Sequence, residues 1–396
     1  MLDLIWLLLP VAAASGWVAA KNSSRKKSQN RGSLSFLSER YIRGLNYLLN
    51  EQQDKALEFF VEMVEVDSET VETHLVLGSL FRRRGEVDRA IRIHQNLIAR
   101  PNLERPHKIQ ALLELGKDYM KAGLLDRAEG VFNELISLGS ESSEPYSLLR
   151  DIYVQESEWE RAIETSRQFE RFSKESQDIM ISQFYCELAE KDLKQGAVTQ
   201  AINYAKKAAS LDKNNVRTSL ILADCACENQ DFKKAIQNLS LVMQQDAKFF
   251  PVILPVVKDC FHQLGRQEDM AKFLMRAEQN YDSPSLIRAQ TDFLIQANKL
   301  SDAREILDEI FSEKKFTPEL IQSYASLLSL DHTDSLPEPL FKVIDTMAEL
   351  GQDEFSYRCK QCGFEAMSLF WQCPSCHGWN TVYPIDEWMK LHREQQ

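Results

Sequence analysis

The sequence contains no glycine-rich phosphate loop, no His-Glu-x-x-His helix and no nucleophile elbow, so the chemistries built on those motifs have no footing in it. Histidine is scarce: seven residues in 396, dispersed along the chain. Lone ones such as His74 and His94 read as packing residues, not ligands. A basic excess is missing too. The formal charge of -12 argues against nucleic acid as a partner, because that affinity comes from Lys and Arg contacts to phosphate. General disorder is excluded by a hydrophobic content of 44%. A non-enzymatic chain is expected, long enough for several domains or one repeat array.

Charge is absent from one further stretch. Leu4 to Ala20 carries no ionisable side chain, and with Met1 and Leu2 it approaches the ~20 residues that span a bilayer as helix. Asp3 precedes the stretch, while Lys21, Arg25, Lys26, Lys27 and Arg31 follow it. A signal peptide needs the opposite arrangement, and the positive-inside rule leaves everything after Lys21 in the cytoplasm. A single-pass anchor over 1–20 and a basic juxtamembrane linker over 21–35 are therefore expected. Ala12, Gly16 and Ala20 form a small-xxx-small stripe that would allow close approach of another membrane helix, although a plain anchor accounts for them equally well.

After the linker the chain repeats itself. Small residues recur at Ala56, Ala90, Ala128, Ala162, Ala201, Ala235 and Ala303, with Met270 holding the same place in the seventh unit. The steps are 34, 38, 34, 39, 34, 35 and 33 residues. Gly44, Gly78, Gly116 and Ala189 keep the same spacing, with Tyr47, Phe81, Tyr119 and Tyr153 at the aromatic position of their units. This is the tetratricopeptide pattern, in which small residues let two helices cross and aromatics fill the adjoining holes. Gly85, Gly123, Gly196 and Gly265 fall in the expected inter-helix turns. Pro251 and Pro255 are expected to interrupt the first helix of the seventh unit, and helices near Pro318–Leu330 and Pro337–Leu350 to cap the array. Such arrays present a groove suited to a peptide or helix. One basic window, Arg82, Arg83, Arg84, Arg89 and Arg92, reads either as solvated helix faces or as a docking patch for an acidic surface.

Near the end the composition changes. Cys359-Lys-Gln-Cys362 and Cys373-Pro-Ser-Cys376 are two Cys-x-x-Cys knuckles at a separation that signals one four-thiolate metal site. Four sulfurs leave no open coordination position, so the ion is structural, and zinc or iron fits the tetrahedral set equally. Gly363 and Gly378 are expected at positive φ beside the knuckles. Phe364 to Trp371 reads as a strand or hairpin whose aromatics pack beside the metal. So small a module depends on its metal to fold. Cys186, Cys225, Cys227 and Cys260 read as buried small side chains, with the thiols of Cys225 and Cys227 on different helix faces. Thiolate ligation places the body of the chain in a reducing compartment.

The expected architecture is mainly α. A transmembrane helix precedes a tetratricopeptide superhelix over 36–350, a rubredoxin-like four-cysteine metal module over 354–384 and a tail over 385–396. Tyr357-Arg-Cys-Lys-Gln-Cys-Gly-Phe364, Trp371-Gln-Cys-Pro-Ser-Cys376, the run from Gly85 to Gln95 and Phe184-Tyr-Cys-Glu-Leu188 together resemble the lipopolysaccharide assembly protein B family of Gram-negative bacteria, over essentially the whole chain. The resemblance implies Cys359, Cys362, Cys373 and Cys376 as metal ligands. It also implies an inner-membrane, cytoplasm-facing regulator that helps the membrane protease FtsH degrade the deacetylase of the lipid A pathway, and that contacts lipopolysaccharide assembly or transport proteins. Two other readings stay open on the residues: a general anchored scaffold for envelope assembly, and a rubredoxin-type electron carrier.

Overall fold

The computed structural model describes residues 71–139, 142–279, 281–313, 317–330 and 356–385, with isolated positions elsewhere. The anchor, the linker and the segment 337–350 lie outside the described residues, Ile344 apart. Among the described residues no helix is long and apolar enough to cross a membrane.

Fifteen α-helices precede a small sheet among the described residues. They are α1 Val71–Arg83, α2 Val87–Ile98, α3 Arg105–Lys121, α4 Leu125–Ser137, α5 Glu144–Gln155, α6 Trp159–Ser173, α7 Asp178–Lys194 and α8 Val198–Leu211. Then come α9 Val216–Glu228, α10 Phe232–Gln245, a 3-10 turn Ala247–Phe249, α11 Phe250–Leu264, α12 Gln267–Glu278, α13 Pro284–Gln296, α14 Leu300–Ser312 and α15 Pro318–Leu330. Two compact units form. One runs to Glu156 and includes Arg171–Ser173; the other comprises Ser157–Glu170 and everything from Lys174.

The sequence ruler is a burial ruler. Ala56, Ala90, Ala128, Ala162, Ala201, Ala235 and Ala303 are all 0% exposed, and Met270 is buried in the same role. A larger side chain at Gly116 would run into the ring of Phe132, and one at Gly78 into the ring of His94. His94 therefore fills the hole that Phe132 fills one unit later, which accounts for a histidine with no exposure.

Five residues before each ruler position from Ala90 onward the backbone turns left-handed, at Gly85, Gly123, Gly196 and Gly265 (φ 64–81°) as expected, and also at Ser157, Gln230 and Asn298 (φ 57–58°). The amide one residue on donates to the carbonyl five residues back in six of these turns, for example Glu86 to Phe81 (2.9 Å), Ala197 to Asp192 (2.9 Å) and Asp231 to Ala226 (2.8 Å). That bond closes the helix end, and it needs positive φ whatever side chain is present. Non-glycine residues in that conformation carry roughly 1 kcal/mol of strain. Gln230→Gly is therefore expected to stabilise the second unit by about 0.5–1 kcal/mol, read as a higher urea midpoint.

Two expectations about α11 need correction. Pro251 does not interrupt the helix, because it stands in the first turn where no intrahelical N–H is required. Pro255 lies inside an unbroken helix; its flank Phe250, Ile253 and Val257 is fully buried, and that packing outweighs the one lost backbone bond.

The first unit is tied by a chain of charges. Arg82 of α1 meets Glu114 (2.6 Å) and Asp118 (2.7 Å) of α3, and Lys117 bridges Glu114 (3.0 Å) to Glu144 of α5 (2.8 Å). Asp118 also accepts a 2.5 Å contact from His94 Nδ1. Burial alone would raise the Glu114 carboxyl; the hydrogen bond and charge of Arg82, then those of Lys117, outweigh it and hold the group at about 2 against an ordinary 4.5. A depressed folded value means the stabilisation is present above pH 4.5 and lost as pH falls toward 2. Its size is on the order of 3 kcal/mol. The stability difference between the native chain and Glu114→Gln, from urea melts, is expected to shrink through that window and vanish near its acid end.

Candidate metal centre

The module at residues 356–385 is a three-stranded antiparallel sheet, order β2-β1-β3, with β1 Tyr357–Cys359, β2 Glu365–Ala366 and β3 Val382–Pro384. Tyr357 pairs with Ala366 and with Pro384, so β1 is central and delivers Cys359 at its end. The first knuckle is closed by Cys359 N–H to Phe364 O (2.7 Å) and Gly363 N–H to Cys359 O (3.0 Å), with Gly363 at φ 78°. The second is closed by Cys373 N–H to Gly378 O and His377 N–H to Cys373 O, both 2.9 Å. Here the left-handed residues are His377 (φ 57°) and Asn380 (φ 55°), not Gly378 as expected. At 378 an added Cβ would displace the end of the Gln361 side chain and press on Thr381 Cγ2 at 3.0 Å.

The four thiols expected to bind metal do converge. Their sulfurs lie within 4.8 Å of one another, with Cys359–Cys376 at 3.8 Å and Cys362–Cys373 at 3.6 Å. A tetrahedron with ~2.3 Å metal–sulfur bonds has an edge of about 3.8 Å, so the cluster has the size of a four-thiolate zinc or iron site. None of the sulfurs is in a disulfide. Against the effect of burial, the Thr381 hydroxyl (3.3 Å from the sulfur) and backbone amides of Cys362 and Gln361 draw the Cys359 thiol down to about 6, favouring the thiolate that a metal needs. Cys359 and Cys373 are buried, Cys376 half-buried and Cys362 exposed, so the centre sits at the edge of the module.

Between the knuckles Phe364 packs beside the metal-site cysteines as expected, but only Glu365–Ala366 is strand, and Trp371 faces the repeats instead of the metal. Its ring stacks on Phe249 (5.9 Å, 10°), and the Arg217 guanidinium lies 5.6 Å from it. Tyr383 meets Phe249 edge-on, and Leu369 packs into the same cluster. Trp379 lies edge-on to both Trp159 (6.1 Å) and Phe184 (5.7 Å). Beneath them Arg217, 2% exposed, is held by Glu187 and Glu190, each at 2.7 Å. The module thus occupies the first-helix side of α7 and α9, a groove that repeat arrays ordinarily offer to partners. Beyond it, Trp388 packs against the Ile287, Leu307 and Leu320 cluster of α13–α15, so the tail contributes to the last repeats. No signal in the sequence pointed to Arg217 or Phe249, and Phe184 stood out only as part of the run to Leu188; all three look like ordinary helix residues.

In the basic window Arg82 is committed to Glu114 and Asp118, while Arg83, Arg84, Arg89 and Arg92 are exposed, with Arg84 and Arg89 in reach of Glu86. Of the remaining cysteines, Cys186, Cys225 and Cys260 are buried as expected, while Cys227 is only half-buried, its sulfur 3.6 Å from that of Cys260.

These features define a tetratricopeptide-repeat protein that carries a rubredoxin-type metal module. The family model described as rubredoxin metal binding domain matches residues 357–384, and tetratricopeptide models match 73–106 and 192–252. Lipopolysaccharide assembly protein B of Escherichia coli (strain K12) is 36% identical over 386 residues, covering 97% of this chain and 98% of that protein. The Haemophilus influenzae protein of the same name is 31% identical over 396 residues, with the same shares covered. A crystal structure of MamA overlaps 46% of this chain and 94% of its own at 21% identity and a TM-score of 0.33. The chain belongs to the lipopolysaccharide assembly protein B family.

Proposed function

We propose that this chain is a non-enzymatic adaptor in lipopolysaccharide assembly, tethered in the inner membrane by residues 1–20 with its repeats and metal module in the cytoplasm. In this reading it brings the lipid A pathway deacetylase to the FtsH protease and so limits lipid A synthesis. Similarity to lipopolysaccharide assembly protein B over 97% of this chain carries the proposal. A tether raises the effective concentration of a captured client beside a membrane protease to roughly millimolar without any new contact. Ala12, Gly16 and Ala20 supply a face for pairing with a membrane helix of the protease. Arg83, Arg84, Arg89 and Arg92 supply the exposed part of the basic window for an acidic client surface. The metal ion serves as a structural centre that holds the module's docking face.

The deciding measurement is the half-life of the deacetylase in cells with and without this chain. A severalfold longer half-life in its absence is expected; an unchanged one overturns the proteolytic role and leaves a scaffold for envelope assembly. Deleting residues 1–20 is expected to lengthen the half-life to the same degree while the soluble remainder stays folded. Full regulation by that soluble form would refute the tethering step.

A further inference from the structure

At the contact between the module and the repeats an open pocket of about 300 Å³ lies between Leu369 and Trp371 on the module and Glu190, Leu193, Arg217 and Asp224 on the repeats. The floor is also polar. Gln183 is 0% exposed, yet its Nε2 has no hydrogen-bond partner.

The anchors that fill this groove are positioned by the knuckles. Trp371 stands two residues before Cys373 and Trp379 three residues after Cys376. The two are tied together by the Gln372–Trp379 bridge and by Asn380 N–H to the Trp371 carbonyl (2.7 Å). A metal held by the four thiolates therefore fixes both rings at once, and its loss releases both at once.

We propose that the first-helix face of α7 and α9, with the turn at Phe249, is a peptide-binding groove that the chain's own module closes while metal is bound. On metal release it opens to a partner segment presenting two aromatic side chains in place of Trp371 and Trp379. The chain's own segment, seated there, is the template for that occupant. Metal release involves no electron transfer; the four thiolates take up protons from solvent. The proposal stands apart from the role in proteolysis, because it is read on the purified full chain with no client present.

Gln183→Cys provides the first readout. Maleimide labelling of that residue, located by peptide mass, is expected to run at least tenfold faster after the metal is stripped with a chelator. Equal rates in the two forms overturn the proposal. The second readout is the affinity of a fluorescent peptide copying residues 368–383 with serine at 373 and 376. It is expected to bind the stripped chain at least tenfold more tightly than the metal-loaded chain, and to lose binding when its two tryptophans are replaced by alanine. If stripping also unfolds repeat helices by circular dichroism, the variant Trp371→Ala with Trp379→Ala decides. All four thiolates remain in it, so it is expected to hold one metal ion yet label rapidly and bind the peptide. A protected residue 183 in that variant overturns the proposal.

Discussion

Cys359→Ser is expected to unfold residues 357–384 and detach them from the repeats, with little loss of helical circular dichroism. The module has three short strands and few buried apolar side chains, among them Ala366 and Val382. That core is too small to offset the conformational entropy of some thirty residues without help. A structural zinc site contributes an apparent ~10–16 kcal/mol, and removing one thiolate of four forfeits much of it. Cys359 is the sharpest choice because it is buried and ends the central strand. Expected observations are loss of stoichiometric metal and a red shift of tryptophan emission as Trp371 and Trp379 leave the groove. Hydrogen exchange should also rise across residues 357–384 while α1–α5 stay protected. A variant that keeps full metal and an unchanged emission spectrum would show that the remaining thiols suffice.

The second large effect is expected at Arg217. Its guanidinium lies buried between Glu187 and Glu190 and under the ring of Trp371. Deleting one side of a buried ion pair typically costs about 3–5 kcal/mol, chiefly because the other side is left uncompensated. Here the two carboxylates are 27% and 28% exposed, so water relieves part of that, and Arg217→Ala should cost about 3 kcal/mol. Since repeat arrays unfold piecewise, local hydrogen exchange in α7–α10 is a better measure than a single melting temperature. Replacing all three residues together, Arg217→Met with Glu187→Gln and Glu190→Gln, should recover most of the loss, because the stranded charges are gone. Failure of that rescue would assign the loss to the Trp371 contact instead.

Much of the array was legible in advance. The alanine ruler and the glycine turns are local consequences of helix geometry, repeated often enough to be read without a structure. Three turns escaped because Ser157, Gln230 and Asn298 adopt a left-handed conformation that their side chains do not advertise. Proline misled at 251 and 255, where position within α11 and packing around it mattered more than residue type. In the basic window one residue departs from its formal charge. Formal charge counts Arg82 as available, whereas α3 neutralises it with Glu114 and Asp118, 32 and 36 residues away.

The metal centre divides along the same line. Its ligands follow from spacing: two Cys-x-x-Cys turns can place four sulfurs around one ion whatever surrounds them, and the 3.6–3.8 Å sulfur separations agree. Where the module rests does not follow from spacing. Trp371 meets Phe249 and Arg217, and Trp379 meets Trp159 and Phe184, across more than a hundred residues. An aromatic side chain near a metal knuckle packs equally well on its own module or on a distant helix, because hydrophobic burial is non-directional. Periodicity and ligand spacing are short-range and were written in the residues; the filling of the groove is long-range, and only the folded chain chose its partner.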